Sequence, residues 1–141
     1  MKDALKVSVI VVGYNGKRYL HDCLSSVLDQ ELERAEYEVL YVDNRSDDGS
    51  AHYVREAFPS VRVIANDENY GYYEAFNRVA REVARGQYLI ALPQDTIAHR
   101  RWLSELVRVA DRERDVMLCL VNSIDPNAPD YAAKEREGWP E

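Results

Sequence analysis

The sequence predicts an α/β protein built on an open, mostly parallel sheet with helices on both faces. Short apolar runs alternate with segments whose apolar residues recur at helical spacing, the pattern of repeated strand-helix units. The runs are nearly continuous in Val, Ile and Leu, as strands covered on both faces require. A cluster of polar residues follows each of the first four runs. In open parallel sheets, ligands bind beyond the carboxyl ends of the strands.

Val7 to Val12 (VSVIVV) reads as the first strand, bounded by Gly13-Tyr14-Asn15-Gly16. Leu20, Cys23, Leu24, Val27 and Leu28 then fall on one face of a helix, with Cys23 expected beneath it. Glu38 to Val42 is the second strand, and Val54 and Phe58 anchor a shorter helix before Pro59. Val61 to Ala65 is the third strand. Ala75, Phe76, Val79, Ala80, Val83 and Ala84 stripe the third helix, and Gly86 is expected to end it as a C-cap. Tyr88 to Leu92 is the fourth strand, and Trp102, Leu103, Leu106, Val107 and Ala110 mark a fourth helix. Val116 to Val121 (VMLCLV) reads as a fifth strand. Right-handed crossovers restrict how such units connect.

Composition narrows the partners. At 141 residues, 46% hydrophobic and 30% charged, the chain has the profile of one soluble globular domain. A formal charge of −7 argues against nucleic acid or an anionic membrane surface as the main partner. No apolar stretch approaches the ~20 residues of a membrane span. The opening Met-Lys-Asp-Ala-Leu-Lys lacks the apolar core of a signal peptide. Cys23 and Cys119 lie far apart in apolar contexts and match no metal spacing. They read as reduced core thiols, which suits a cytoplasmic protein.

The strand ends supply the candidate site. They are Gly13-Tyr14-Asn15, Asp43-Asn44-Arg45-Ser46, Asn66-Asp67-Glu68-Asn69-Tyr70-Gly71 and Pro93-Gln94-Asp95-Thr96. Turn chemistry explains part of this, because Ser46, Asp47 or Asp48 is placed to cap the helix after Gly49. A cap needs one acceptor, which leaves Asp43 and Asn44 unexplained. Gly13-x-x-Gly16 is not the dinucleotide fingerprint, and the lysine-bearing glycine loop of nucleoside triphosphatases does not occur. A carboxylate or amide at a strand tip can read a base edge or a ribose diol, and Tyr14 offers a face for a base. Asp95 is a hard oxygen ligand for Mg²⁺ or Mn²⁺, ions that take one or two carboxylates plus phosphate oxygens. Together these describe a nucleoside diphosphate held by a metal. Arg78 reads either as a contact to diphosphate oxygens or as a helix-surface arginine. The Tyr70-Gly71-Tyr72-Tyr73 run reads either as a base-stacking wall or as core edge.

The stretches VSVIVVGYNGKRYLHDCLSSVLDQ, YEVLYVDNRSDDGS, NDENYGYYEAFN and GQYLIALPQDT resemble, in order and spacing, the successive motifs of the family 2 glycosyltransferases of GT-A fold. The likeness covers about residues 6–110. It implies the nucleotide-sugar-binding, Rossmann-like half of that fold, with strand order 3-2-1-4. It further implies that Tyr14 and Asn15 lie at the base pocket and that Asp43 and Asn44 contact the base and shape the first loop. By the same resemblance Asn69-x-Gly71 closes beside the nucleotide, and Asp95 is the last acid of the metal motif. Two departures stand out. Where the family commonly has Asp-x-Asp or Asn-Pro-Asp, this chain has Pro93-Gln94-Asp95, which leaves one motif carboxylate. The small residues often found after the Asn-x-Gly turn are here Tyr73-Glu74-Ala75, which reshapes the donor-sugar pocket.

The expected function is that of a family 2-like glycosyltransferase binding a uridine or thymidine diphosphate sugar with Mg²⁺ or Mn²⁺. The alternative is a degenerate GT-A-like module that holds nucleotide or a partner without chemistry. Residues 1–122 are expected to form the nucleotide-sugar-binding domain and residues 123–141 a polar tail or linker. By the resemblance, the catalytic base comes from a second half beyond the metal motif. Asp125, Asp130, Glu135 and Glu137 all lie in the polar tail. The chain alone is therefore expected to bind donor without transferring sugar, with self-association or a second catalytic half completing the site.

Overall fold

The computed structural model describes residues 5–113. In chain order they form β1 (Val7–Gly13), α1 (Lys17–Leu28), a 3-10 turn (Arg34–Glu36), β2 (Tyr37–Asp43), α2 (Ser50–Ala57), β3 (Arg62–Ala65), α3 (Tyr72–Glu82), β4 (Tyr88–Pro93) and α4 (Trp102–Arg112). Every strand pair is parallel, and the sheet runs β3-β2-β1-β4, the expected order. The predicted fifth strand and Cys119 lie outside the described residues. No helix among the described residues is long and apolar enough to cross a membrane.

The central strands are apolar because both of their faces are covered. Every residue of β1 and β2 is buried. Val7, Val9, Val11, Val39 and Tyr41 point to one layer, where they meet Leu20, Cys23, Leu24 and Val27 of α1, Val54 of α2, and Leu103 and Val107 of α4. Ile10, Val12, Leu40 and Val42 point to the other, against Ala75 and Val79 of α3. Burying one such Leu or Val side chain contributes about 1.5–3 kcal/mol. Cys23 is among the buried residues of α1, as expected. Burial pushes its thiol up to about 12, helped by the Asp95 charge and opposed by a hydrogen bond at Thr96. Tyr37 closes the far end of α1 by donating its hydroxyl hydrogen to the carbonyls of Val27 (3.1 Å) and Leu28 (3.3 Å).

Register carries the site. Gly13 pairs with Asp43, Val12 with Pro93, and Asp43 with Ala65. All four strands therefore end within a residue or two of each other, on one edge.

Two polar residues interrupt the apolar strands, and the register makes them partners. Ser8 lies opposite Glu38 and donates its hydroxyl hydrogen to Glu38 Oε1 at 2.7 Å. The same carboxylate accepts from the Arg85 backbone N–H (2.7 Å) and from the Arg85 guanidinium (2.8 and 3.0 Å). Ser8 Oγ in turn accepts from the Gly86 N–H at 2.8 Å. Gly86 is thus not the C-cap that the sequence suggested. The helix ends at Glu82 with Val83 as capping residue, and Gly86 lies against β1. A Cβ there would come within 2.3 Å of Ser8 N and 2.4 Å of the Val7 carbonyl carbon. Close backbone approach, rather than a left-handed cap, is what requires glycine.

Burial alone would raise the Glu38 carboxyl, but the hydrogen bonds from Ser8 and Arg85 outweigh it and hold the group below the usual glutamate range. The Arg85 side chain is 65% exposed, so solvent screens its part of the pair. Glu38→Ala is expected to lower unfolding free energy by about 2 kcal/mol near neutral pH, measured by urea denaturation. A depressed folded pKa contributes stability above the unfolded pKa and loses it as pH falls through the folded one. The gap between wild type and Glu38→Ala should therefore begin to narrow as pH falls below about 4.

Candidate functional site

The run Asp43 to Ser50 is largely a set of ties between loops. Asp43 is 3% exposed; its Oδ2 accepts from the Ser46 N–H at 3.0 Å and its Oδ1 from the Tyr41 hydroxyl at 3.3 Å. It folds its own loop back and stands beneath the surface. Ser46 Oγ accepts from the Asn15 N–H (2.9 Å), and Asn15 Oδ1 accepts from the Asp47 N–H (2.9 Å). Asp48 joins two helix starts. Its Oδ2 accepts from Lys17 N–H at the head of α1, and its Oδ1 from Ser50 N–H at the head of α2. Of the three capping candidates, Asp48 is the one that meets α2. Burial tends to raise its carboxyl, and the Ser50 and Lys17 hydrogen bonds hold it low.

Asn44 is the hub of the edge. It is 2% exposed. Its backbone N–H reaches Gly13 O at 2.8 Å, and its Nδ2 donates to Gly71 O at 3.0 Å. Its Oδ1 accepts from Asn66 Nδ2 (2.9 Å) and from the Tyr70 N–H (3.3 Å). The side chain thereby ties the loop after β3 to the end of β2, while the backbone N–H holds the end of β1. Asn69 Oδ1 completes the third loop by accepting from the Gly71 N–H at 2.9 Å. Gly71 sits at φ 76, ψ 171 as α3 begins, a conformation that favours glycine.

Above these ties lies a cleft of about 370 Å³. The β1–α1 turn and α1 contribute Tyr14 and Tyr19, the loop after β2 Asn44, the loop after β3 Asn69 and Gly71, the head of α3 Tyr72, and the end of β4 and the loop beyond it Pro93, Gln94 and Asp95. Five sequence-nominated residues thus share one cleft: Tyr14, Asn44, Asn69, Gly71 and Asp95. Tyr14 is 51% exposed, leaving a ring face free for a planar ligand. Asp95 is the one acid in the lining, and it is exposed.

Three nominated residues do not line the cleft. Asp43 is buried below it, fully engaged with Ser46 and Tyr41. Asn15 turns to the other side of the β1–α1 turn. There a wider, more open hollow of about 690 Å³ is lined by Asn15, Lys17, Arg18, His21, Asp48 and Tyr53. That hollow lies between α1 and α2, and its one acid already caps both helices, so the smaller strand-tip cleft is the candidate site. Arg78 lies with its guanidinium 4.0 Å from the centre of the Tyr70 ring, whose hydroxyl donates to Asp67. It stiffens the third loop from outside.

Tyr19, Tyr72 and Gln94 enter the lining without having been nominated individually. Tyr19 lies off the apolar stripe of α1, one turn from the glycine corner, and that position was its only signal. Tyr72 lines the cleft and also packs at the edge of the α3 core. Tyr73 is 80% exposed.

No three His, Cys, Asp or Glu side chains stand together to hold a metal among the described residues.

Comparison with known proteins follows the same geometry. Residues 8–140 match the family described as Glycosyl transferase family 2. The chain is 36% identical over 100 residues to glycosyltransferase AglE of Haloferax volcanii, covering 69% of this chain and 33% of AglE. Its fold is similar to S. aureus TarS 1-349 in complex with UDP, with TM-score 0.71, 26% identity, and 78% of this chain and 33% of that chain covered. It is also similar to the mannosyltransferase PcManGT from Pyrobaculum calidifontis in complex with GDP-Man and Mn²⁺, with TM-score 0.65, 27% identity, and 74% and 31% covered. The chain spans about a third or less of the length of the first curated relatives it matches.

Because the Asn44 side chain anchors the loop after β3, Asn44→Ala is expected to loosen that wall of the cleft before it unfolds the domain. Loss of its side-chain hydrogen bonds should cost about 1–3 kcal/mol. Hydrogen exchange should show faster exchange at the Tyr70 and Gly71 amides, with the β1 and β2 cores unchanged.

Proposed function

The chain belongs to glycosyl transferase family 2, and from that premise we propose that its strand-tip cleft holds the nucleoside diphosphate of a sugar donor. Sugar transfer is then the activity of the whole protein. The observation that carries this reading is the gathering of Tyr14, Asn44, Asn69, Gly71 and Asp95 around one cleft. Tyr14 stacks on the base, and the Asn69–Gly71 turn, held in place by Asn44 from beneath, faces the base and ribose. Asp95 faces the diphosphate. The uridine or thymidine diphosphate class is our choice of donor, and the complexes of TarS with UDP and of PcManGT with GDP-Man support a nucleotide sugar in general. The donor would be drawn from the cytoplasm, where such nucleotides are made.

Mg²⁺ or Mn²⁺ fits this site in one way. A single exposed carboxylate is a weak site by itself, but these ions bind readily through one carboxylate, water and phosphate oxygens. Asp95 would hold the ion only together with the nucleotide. When bound, the metal acts as a Lewis acid toward the leaving diphosphate. The residues of this chain bind and orient the donor. Asp95 has the metal as its partner and no other acid lines the cleft among the described residues, so the base that deprotonates the acceptor is sought elsewhere. The single motif carboxylate also favours a second reading, a nucleotide-holding module without chemistry. Donor hydrolysis or transfer by the full protein separates the two.

Calorimetric titration with UDP, dTDP and GDP, each with and without Mn²⁺, tests the reading. Binding of at least one nucleotide, strengthened by Mn²⁺, is expected. Asp95→Asn should remove the Mn²⁺-dependent increment and leave metal-free binding intact. Asn44→Ala should weaken binding about fivefold or more in both conditions. Equal losses from the two substitutions without Mn²⁺ would exclude Asp95 as a metal ligand, and no binding of any nucleotide would exclude the site.

A further inference from the structure

Gln94 leaves the end of β4 beside Asp95, yet its amide reaches back under the β1–α1 turn. Nε2 donates to the Tyr14 carbonyl at 3.0 Å. Because that carbonyl can only accept, the amide has one sensible orientation, and Oε1 is then left buried with no hydrogen-bond partner. An orphaned buried acceptor is destabilising, so stability alone does not select this arrangement.

Two glycines leave room for it. A Cβ on Gly13 would stand 2.3 Å from Gln94 Oε1, and one on Gly16 would stand 2.1 Å from Gln94 Nε2. Neither glycine has the left-handed backbone found at Gly49 and Gly71. At Gly16 the space is filled by the Gln94 amide, and at Gly13 by that amide together with the Tyr41 ring, whose hydroxyl a Cβ would meet at 2.7 Å. A long side chain also stands in the middle of a motif whose last residue, Asp95, faces the cleft.

We infer that Gln94 is a positioning residue for the base wall: its amide, seated over Gly13 and Gly16, holds the Tyr14 carbonyl and so fixes the Tyr14 ring across the cleft from Asp95. The inference rests on the proposed nucleotide site and deepens it. Although Gln94 borders the cleft, its amide acts through Tyr14. It sets the part of the affinity that comes from the base and leaves alone the part that comes from the diphosphate.

The experiment compares UDP with inorganic pyrophosphate, both with Mn²⁺, by calorimetry on the full chain. Gln94→Met keeps the length and removes the donor. It is expected to weaken UDP about tenfold and to leave pyrophosphate unchanged, with a melting temperature no lower than wild type. In a Tyr14→Ala background, Gln94→Met should weaken UDP no further, the signature of a residue acting through another. Gly16→Ala, which pushes the amide aside, should reproduce the selective loss and serves if Gln94→Met does not fold. UDP binding by either folded variant at wild-type strength overturns the inference, as do equal losses for UDP and pyrophosphate, and both results leave the proposed function standing. Wild-type binding of pyrophosphate but of no nucleoside diphosphate removes both.

Discussion

Four parallel strands that end in register must satisfy their last polar groups without help from the rest of the ladder, and buried ones must do so within the protein. In this chain the side chain of Asn44 does most of that work, with donors and acceptors in the third loop while its backbone N–H reaches Gly13 O. Asp43 and Asp48 do the rest, one by closing its own loop and the other by joining the heads of α1 and α2. The cleft is what remains above these ties.

This arrangement divides the polar residues of the edge into two kinds. Asp43, Asn15 and Asp48 have their oxygens filled by backbone N–H groups, and by the Tyr41 hydroxyl at Asp43, and hold the loops in shape. Tyr14 and Asp95 stay exposed and carry what chemistry the site has. The loops hold two non-glycine residues in left-handed conformation, Asn15 at φ 47 and Arg45 at φ 62. Such residues persist only when surrounding bonds over-determine them, and the lacing of Asn15 to Ser46 and Asp47 does so. The cleft is consequently shaped before any ligand arrives, which limits the ordering that binding must impose.

The opposite end of the sheet supports the same cleft from a distance. One helix, α3, covers the face on which Ile10, Val12, Leu40 and Val42 lie. Its first turn supplies Tyr72 to the cleft, and the segment just past its C-terminus is clamped by the Ser8–Glu38–Arg85 cluster. The helix also packs on that face through Phe76 and Ala80.

The sheet was legible in the sequence because continuous Val, Ile and Leu runs and helical stripes report burial directly, and burial is what apolar side chains respond to. The strand-end rule likewise located the edge, and Tyr14, Asn44, Asn69, Gly71 and Asp95 meet there. Polar residues carry no such signal of direction. Asp43 and Asn44 are neighbours with similar chemistry, yet only Asn44 lines the cleft, because successive side chains at a strand end point to opposite sides. Arg78 over Tyr70, Gly86 against Val7 and Ser8, and Gln94 over Gly13 and Gly16 join residues far apart in the chain or turned by a loop. Sequence by itself determined which segments are buried and which edge is polar. Only the tertiary structure decided which polar groups face each other and which face the ligand, because a hydrogen bond depends on direction and distance, whereas hydrophobic burial depends on area.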